Sequence, residues 1–189
     1  WSFGTSLPVR TSSPGAVVFE PVSLTTLVDS PVLAGEFLRT VLLDERPGRR
    51  VVLDMAADAE ADLAIPAELL DGYKRLVTEA DALFGARHFG SYHFLLTLSD
   101  KVSHFGLEHH ESSDDRVRER SLVDPDQRKL IGDLLSHEYT HSWNGKYRRP
   151  IDLMPDDFVA PIDSSLLWVY EGLTQYLGWV LTGRSGQRT

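Results

Sequence analysis

The sequence predicts an α+β fold, with a small sheet and one covering helix first and a helical part after it. Three observations carry that reading. Short runs of β-branched and aromatic residues punctuated by Gly and Pro fill much of the first 110 residues. One amphipathic helix interrupts them, with apolar positions at Leu69, Leu70, Tyr73, Leu76, Val77, Ala80, Leu83 and Phe84. Beyond residue 124 the apolar spacing turns helical in two further segments.

Taken in order, residues 16–20 (AVVFE), about 37–43 and 50–55 (RVVLDM) read as strands. Ile65-Pro66 opens the helix and Gly85 ends it. Tyr92 to Leu98 and a second run around Val102 to His110 read as a strand pair. Residues 111–124 (ESSDDRVRERSLVD) are polar and charged and read as a loop. Asp124-Pro125-Asp126-Gln127 supplies an N-cap, a proline at the first helical position and a capping-box Gln. The stripe Leu130, Ile131, Leu134, Leu135 then carries this helix through His141 to a stop at Asn144-Gly145. Pro150 to Pro161 is a connection. A buried helix capped by Asp163 follows, with apolar residues at Leu166, Leu167, Tyr170, Leu173, Leu177 and Leu181. The layout is one domain with a cleft between two parts, about 1–123 rich in sheet and about 124–189 helical.

The chemistry sits in those last two helices. His137-Glu138-Tyr139-Thr140-His141 places two imidazoles one helical turn apart with a carboxylate between them. This is the H-E-x-x-H pattern, in which both imidazoles reach one metal and the Glu handles the proton of a metal-bound water. A catalytic zinc takes three protein ligands and keeps a position for water, so a third donor is needed. Glu171 interrupts the apolar run of the following helix, and a carboxylate there is costly unless paired or coordinating. Two other readings stay open: an ion pair of Glu171 with Arg148 or Arg149, and a hydrogen-bonded core pair for the two histidines. Trp143, Trp168 and Tyr170 flank the ligands and read as packing residues. Thr174 and Gln175, near Glu171, are the candidates to hydrogen-bond and orient the ligands.

Composition excludes other classes. The net charge of −9 argues against nucleic acid, and the basic clusters 46–50 and 116–120 read as solvated loops. The chain has no cysteine, hence no disulfide framework, no Cys-type zinc site and no thiol nucleophile. No stretch approaches the length of a membrane span. Trp1 is not a natural start, so the chain reads as a fragment whose leader, if any, is unseen. Either cytoplasm or periplasm is compatible with it.

His137 to Pro150 (HEYTHSWNGKYRRP) and Leu167 to Gly178 (LWVYEGLTQYLG) resemble the glycyl aminopeptidase family of metallopeptidases, as do Trp1 to Pro8 and Gly106 to His109. The resemblance implies a thermolysin-like (gluzincin) zincin fold, truncated at the C-terminus. It implies one Zn²⁺ held by His137, His141 and Glu171, with Glu138 as general base. It further implies a soluble bacterial enzyme acting on peptide substrates with N-terminal Gly or Ala. In related aminopeptidases a short Gly-x-x-Glu strand borders the cleft, and its Glu grips the substrate's free amine. Here the spacing is Gly-x-Glu, so Gly106 and Glu108 are the corresponding residues. By strand geometry alone Glu108 is an ordinary solvated carboxylate. The adjacent His109 and His110 point to opposite strand faces and are not assigned to the metal.

Such peptidases also use a Tyr or His donor from a later segment, and the full-length relatives carry an N-terminal β domain and a C-terminal PDZ-like domain. The expectation is therefore a chain that binds zinc but turns over peptides poorly. A zinc endopeptidase, which has no use for Glu108, and a zinc-free binding or scaffold domain are the alternatives.

Overall fold

The computed structural model describes residues 1–155, 157 and 159–187. The chain opens with β1 (Ser2–Thr5), β2 (Val9–Ser13), β3 (Ala16–Phe19), the one-turn helix α1 (Leu24–Val28) and β4 (Val32–Gly35). β1 pairs antiparallel with β4, and β2 with β3, as two separate ribbons. The predicted strand at 16–20 thus exists, but in a peripheral hairpin. β2 is exposed along its whole length and β3 alternates exposed and half-buried, which leaves this pair without a place in the core.

The main sheet follows: β5 (Phe37–Arg46), β6 (Arg49–Ala57), β7 (Ser91–Leu98), β8 (Phe105–Glu108) and β9 (Ser112–Val117), with helix α2 (Ala67–Phe84) between β6 and β7. Spatial order is β5-β6-β7-β9-β8. β6, β7 and β9 run parallel, while β5 and β8 flank them antiparallel. The central strands are near-continuous apolar runs because both their faces are covered: Val51, Val52, Leu53, Met55, Phe94, Leu95, Leu96 and Leu98 are all buried. α2 covers one face through Leu69, Tyr73, Leu76, Val77 and Ala80, and Gly85 ends it in the left-handed conformation (φ 72°).

Two expectations change here. The strands at 91–98 and 102–110 are not partners, because β9 lies between them. That strand falls within the stretch read as a polar loop. Its Ser112, Ser113 and Asp115 are fully buried polar residues, satisfied in part by the sheet ladder, so hydrophobicity does not reveal them. The strand at 102–110 shrinks to Phe105–Glu108.

The helical part differs too. Asp124 caps as expected, accepting from the N–H groups of Asp126 (2.9 Å) and Gln127 (3.3 Å). The single helix, however, is two: α3 (Pro125–Leu130) and α4 (Leu134–His141), broken by a turn at Ile131–Asp133 that contains Gly132. Leu130, assigned to the inward stripe, is exposed as a result. Asp163 caps no helix; its carboxylate accepts from Ser165 N–H (2.8 Å), and a π-helical turn begins at Trp168. This turn, Trp168–Gly172, leads into α5 (Leu173–Arg184). The buried helix of the sequence reading is buried on one side only. Tyr170 and Leu181 face inward, whereas Leu166, Leu167, Trp168, Leu173, Tyr176 and Trp179 are exposed.

α4 packs against α5 through unusually close backbones. A Cβ on Gly178 would lie 3.1 Å from His137 Cα and 3.2 Å from His137 N. Glycine there sets the approach of the two helices. Gly178→Ala is expected to destabilise the fold by about 1–3 kcal/mol, the usual range for overpacking, and to weaken metal binding because His137 must shift. Thermal unfolding and metal titration of the variant check this; an unchanged Tm with unchanged metal affinity would sink it.

Candidate metal centre

α4 turns His137, Glu138 and His141 toward one place, with candidate ligand atoms within 4.8 Å of one another. The Nε2 atoms of His137 and His141 stand 3.0 Å apart. Glu171, in the π-helical turn, brings Oε2 to 3.5 Å from His137 Nε2 and 3.4 Å from His141 Nε2. These three separations define a triangle whose circumradius (the product of the sides over four times the area) is about 1.9 Å. A single point is therefore equidistant from all three donors at close to a bond length for a small divalent ion.

Hydrogen bonding fixes how the donors face. The carbonyl of Asn144 lies 3.1 Å from His141 Nδ1, so Nδ1 carries the proton and Nε2 offers its lone pair. Thr174 Oγ1 joins the same cluster, at 3.4 Å from His141 Nδ1 and 3.3 Å from the Asn144 carbonyl. Gln175 behaves differently: its amide donates to Asp133 (2.7 Å) at the mouth of the cleft and touches no ligand. Burial and the neighbouring His141 lower the proton affinity of His137, against the pull of Glu171. Both effects keep imidazole neutral, the form that binds metals.

Glu171 is half exposed, at 49% of its side chain, so burial cost is not what marks it. Arg148 and Arg149 do not pair with it. Arg149 donates instead to the Tyr170 hydroxyl (3.2 Å) and to the Gly145 carbonyl (3.0 Å).

Glu138 is 5% exposed and lies over the edge strand β8. A Cβ on Gly106 would come within 2.0 Å of Glu138 Oε1, so only glycine lets that carboxylate rest there. Burial, then the charges of Asp115, Glu108 and Glu171, push Glu138 up to about 9 in the metal-free protein. A cation held by the nearby donors acts in the opposite direction. The carboxylates of Glu108 and Glu171 beside the two imidazoles favour a cation there.

Glu108 lies two residues along β8 from Gly106, on the same half-buried face. Its carboxylate accepts a short hydrogen bond from the Tyr170 hydroxyl. Burial raises its proton affinity, but the Tyr170 bond, its own backbone and the charges of His141 and Lys146 outweigh this and keep it below the ordinary value. Glu108 is thus ionised and held beside the centre, not solvated on a strand. His109 and His110 turn away to Asp29, at 3.2 and 2.7 Å, which Lys146 also contacts at 2.8 Å.

Residues 131–189 match the family model of the M61 glycyl aminopeptidases. Over that stretch, about a third of the chain, it is similar to this family. Its structure is similar to that of an aminopeptidase N family protein from Idiomarina loihiensis, with a TM-score of 0.75 and 26% identity over 97% of this chain. This chain spans 32% of the length of that protein. No curated protein matches it.

Several residues matter to the site without a plain sequence signal. Tyr170, read as packing, connects Glu108 and Arg149, and its ring lies 4.9 Å from that of His141. Asn144, read as a helix stop, donates to the Val169 carbonyl (2.8 Å) and Thr174 Oγ1 (3.0 Å), which ties the end of α4 to the turn bearing Glu171. Its position three residues past His141 was the available hint. Trp143 is packing, stacked on Phe84 at 4.5 Å, whereas Trp168 is exposed. Asp115 lies opposite Gly106 in the β8–β9 ladder, fully buried, accepting from Ser113 (2.6 Å) with its other oxygen unpartnered among the described residues.

Burial holds Asp115 up to about 7, against 3.8 in the unfolded chain. A raised carboxyl favours the fold while protonated, so that stability is lost as pH rises from about 4 through 7. The metal-free protein is expected to lose about 2–3 kcal/mol between pH 5 and pH 8 from this group, at ~1.4 kcal/mol per tenfold in proton affinity. Asp115→Asn removes that part of the pH dependence. Denaturant unfolding at the two pH values checks it, and an identical slope in the variant would refute the assignment.

Proposed function

We propose that this domain carries the zinc centre of an aminopeptidase, with His137, His141 and Glu171 as ligands and Glu138 as general base. The observation that carries the reading is the triangle of donors. Its radius of about 1.9 Å is just short of the ~2.0–2.2 Å of zinc–nitrogen and zinc–oxygen bonds, so a point slightly out of the donor plane meets all three at bond length. Two neutral imidazoles and one carboxylate are also the donor set of a hydrolytic zinc site. Bound zinc supplies a Lewis acid for the scissile carbonyl and lowers the pKa of a water beside it.

The chain's own residues supply the rest. Glu138, pressed over Gly106 and shielded from solvent, takes a proton from the attacking water and passes it to the leaving amine. The outer edge of β8 is unpaired among the described strands, so an extended substrate adds to it as a further strand. Glu108 then receives the substrate's ammonium group, charge to charge. Glu108 and Gly106 are two strand positions apart, about 7 Å, so an amine held at the first puts the peptide bond after one residue beside Glu138. That spacing supports removal of single N-terminal residues. The M61 glycyl description supports Gly or Ala at that position.

The M61 match and the site together support a gluzincin-type arrangement in which about 1–123 and 124–189 face each other across the cleft. Soluble peptides are the proposed substrates, in keeping with the finding that no described helix is long and apolar enough to cross a membrane. Domains beyond these residues, a β domain before and a PDZ-like domain after, belong to the same proposal.

Metal analysis and turnover test the reading together. The protein is expected to bind about one zinc per chain, with His137→Ala and Glu171→Ala each abolishing tight binding. In the zinc-loaded protein Glu138→Gln keeps the metal and loses about 10²–10⁴ in kcat. Glu108→Gln raises KM for glycyl and alanyl amides. Preferred cleavage of N-acetylated peptides over free-amine substrates would instead indicate an endopeptidase, and no zinc uptake on adding metal would rule out the metal centre.

A further inference from the structure

Past Glu138, on the side away from Glu108, the cleft opens into a cavity of about 430 Å³. Its walls include Phe105, Leu130, Ile131 and Leu134. The polar groups lining it are mostly paired within the protein. Arg116 is held by Asp114 (3.0 and 2.6 Å) and lies over the Phe105 ring at 4.6 Å. His104 Nε2 meets the Ser99 carbonyl (2.9 Å), and Asp133 accepts from Gln175 (2.7 Å). Arg118 lines it too and is exposed; among the described residues its guanidinium has no ion pair and no hydrogen bond. Gln127 Oε1, on the same wall, is buried without a partner.

An apolar chamber with one unpaired guanidinium suits a group that is apolar along its length and anionic at its end. We propose that this cavity receives the leaving-group side of the substrate and that Arg118 reads a carboxylate there, which makes short peptides the preferred substrates. The inference rests on the aminopeptidase reading, because that reading sets the direction of the bound chain. With the amine at Glu108 and the scissile bond at Glu138, the residue after the cut lies beside Phe105, three positions back along β8.

The lengths agree. Glu108 is in register with Ser113, and Arg118 follows Ser113 by five residues along the course of β9. Five residues at ~3.3 Å each give about 17 Å between the two backbone positions. A glutamate and an arginine side chain are each long enough to span several ångström of such an interval. A peptide of two or three residues, about 7–10 Å at full extension, bridges what is left. The planar fork of arginine matches a carboxylate with two parallel N–H donors. Gln127 Oε1 offers an acceptor for an N–H on the leaving side.

The carboxylate can come from a free C-terminus or from an acidic side chain after the cut, and the test separates them. Binding of Gly-Leu, Gly-Leu-amide and Gly-Glu-amide is measured by calorimetry on the zinc-loaded Glu138→Gln protein, where no turnover interferes. The same measurements are made with Arg118→Gln and Arg118→Lys added. Gly-Leu is expected to bind at least tenfold tighter than its amide, with Arg118→Gln erasing that difference and Arg118→Lys keeping part of it. Tight Gly-Glu-amide with weak Gly-Leu would place the carboxylate on the side chain and overturn the preference for short peptides. Equal binding of all three in the parent, or a difference untouched by Arg118→Gln, overturns the role of Arg118. Preferred cleavage of N-acetylated over free-amine peptides by the parent strikes the aminopeptidase reading instead, and the binding differences still decide Arg118.

Discussion

The close approach of α4 and α5 governs the rest of the molecule. Both imidazoles lie on one helix and the third donor on the turn before the other, so the donor triangle exists only while the two backbones nearly touch. Gly178 permits that contact against His137, and Asn144 locks the end of α4 to the turn carrying Glu171. Three donors with lone pairs pointed at one another within 3.5 Å repel unless a cation stands among them. The packing therefore stores an affinity for a divalent ion, and metal binding in turn reinforces the packing.

Glycine recurs where close approach is required. Gly106 leaves room for Glu138 over β8, as Gly178 leaves room for His137 beside α5. In each case the missing Cβ sets a distance between a catalytic side chain and a neighbouring element. The edge strand adds a second constraint. Because β9 inserts between β7 and β8, β8 stands at the margin of the sheet with one free edge next to α4. The proposed base, amine anchor and substrate path thereby all lie along a single strand. Tyr170 links this strand to the metal side, bonded to Glu108 and packed on His141.

The electrostatics follow from the same geometry. Burial, with the charges of Asp115, Glu108 and Glu171, raises the proton affinity of Glu138, whereas the Tyr170 hydrogen bond helps keep that of Glu108 low. Metal-free, the centre holds excess negative charge in a poorly solvated place. In the proposed function its counter-charges are a metal ion at the imidazoles and a substrate ammonium at Glu108. Arg118 stands at the opposite end of the cleft, so the site is polarised along the line a bound peptide would follow.

By itself the sequence determined the metal motif, the α+β class, α2 with its Gly85 stop, and the Asp124 cap, because each depends on contacts within a few residues. His137, Glu138 and His141 are legible for that reason. Glu171 was legible as an oddity in an apolar helix, although the stated cost of burying it was mistaken: the residue is half exposed. The tertiary structure alone decided what depends on distant partners. It placed β9 in the sheet despite its polar sequence, since Ser112, Ser113 and Asp115 lie between two other strands. It split the helix at Ile131–Asp133, opened one face of α5, and turned Tyr170 from packing residue into the partner of Glu108. Local spacing sets which side chains share a face. Which faces meet, and at what distance, is fixed by the whole chain folding at once.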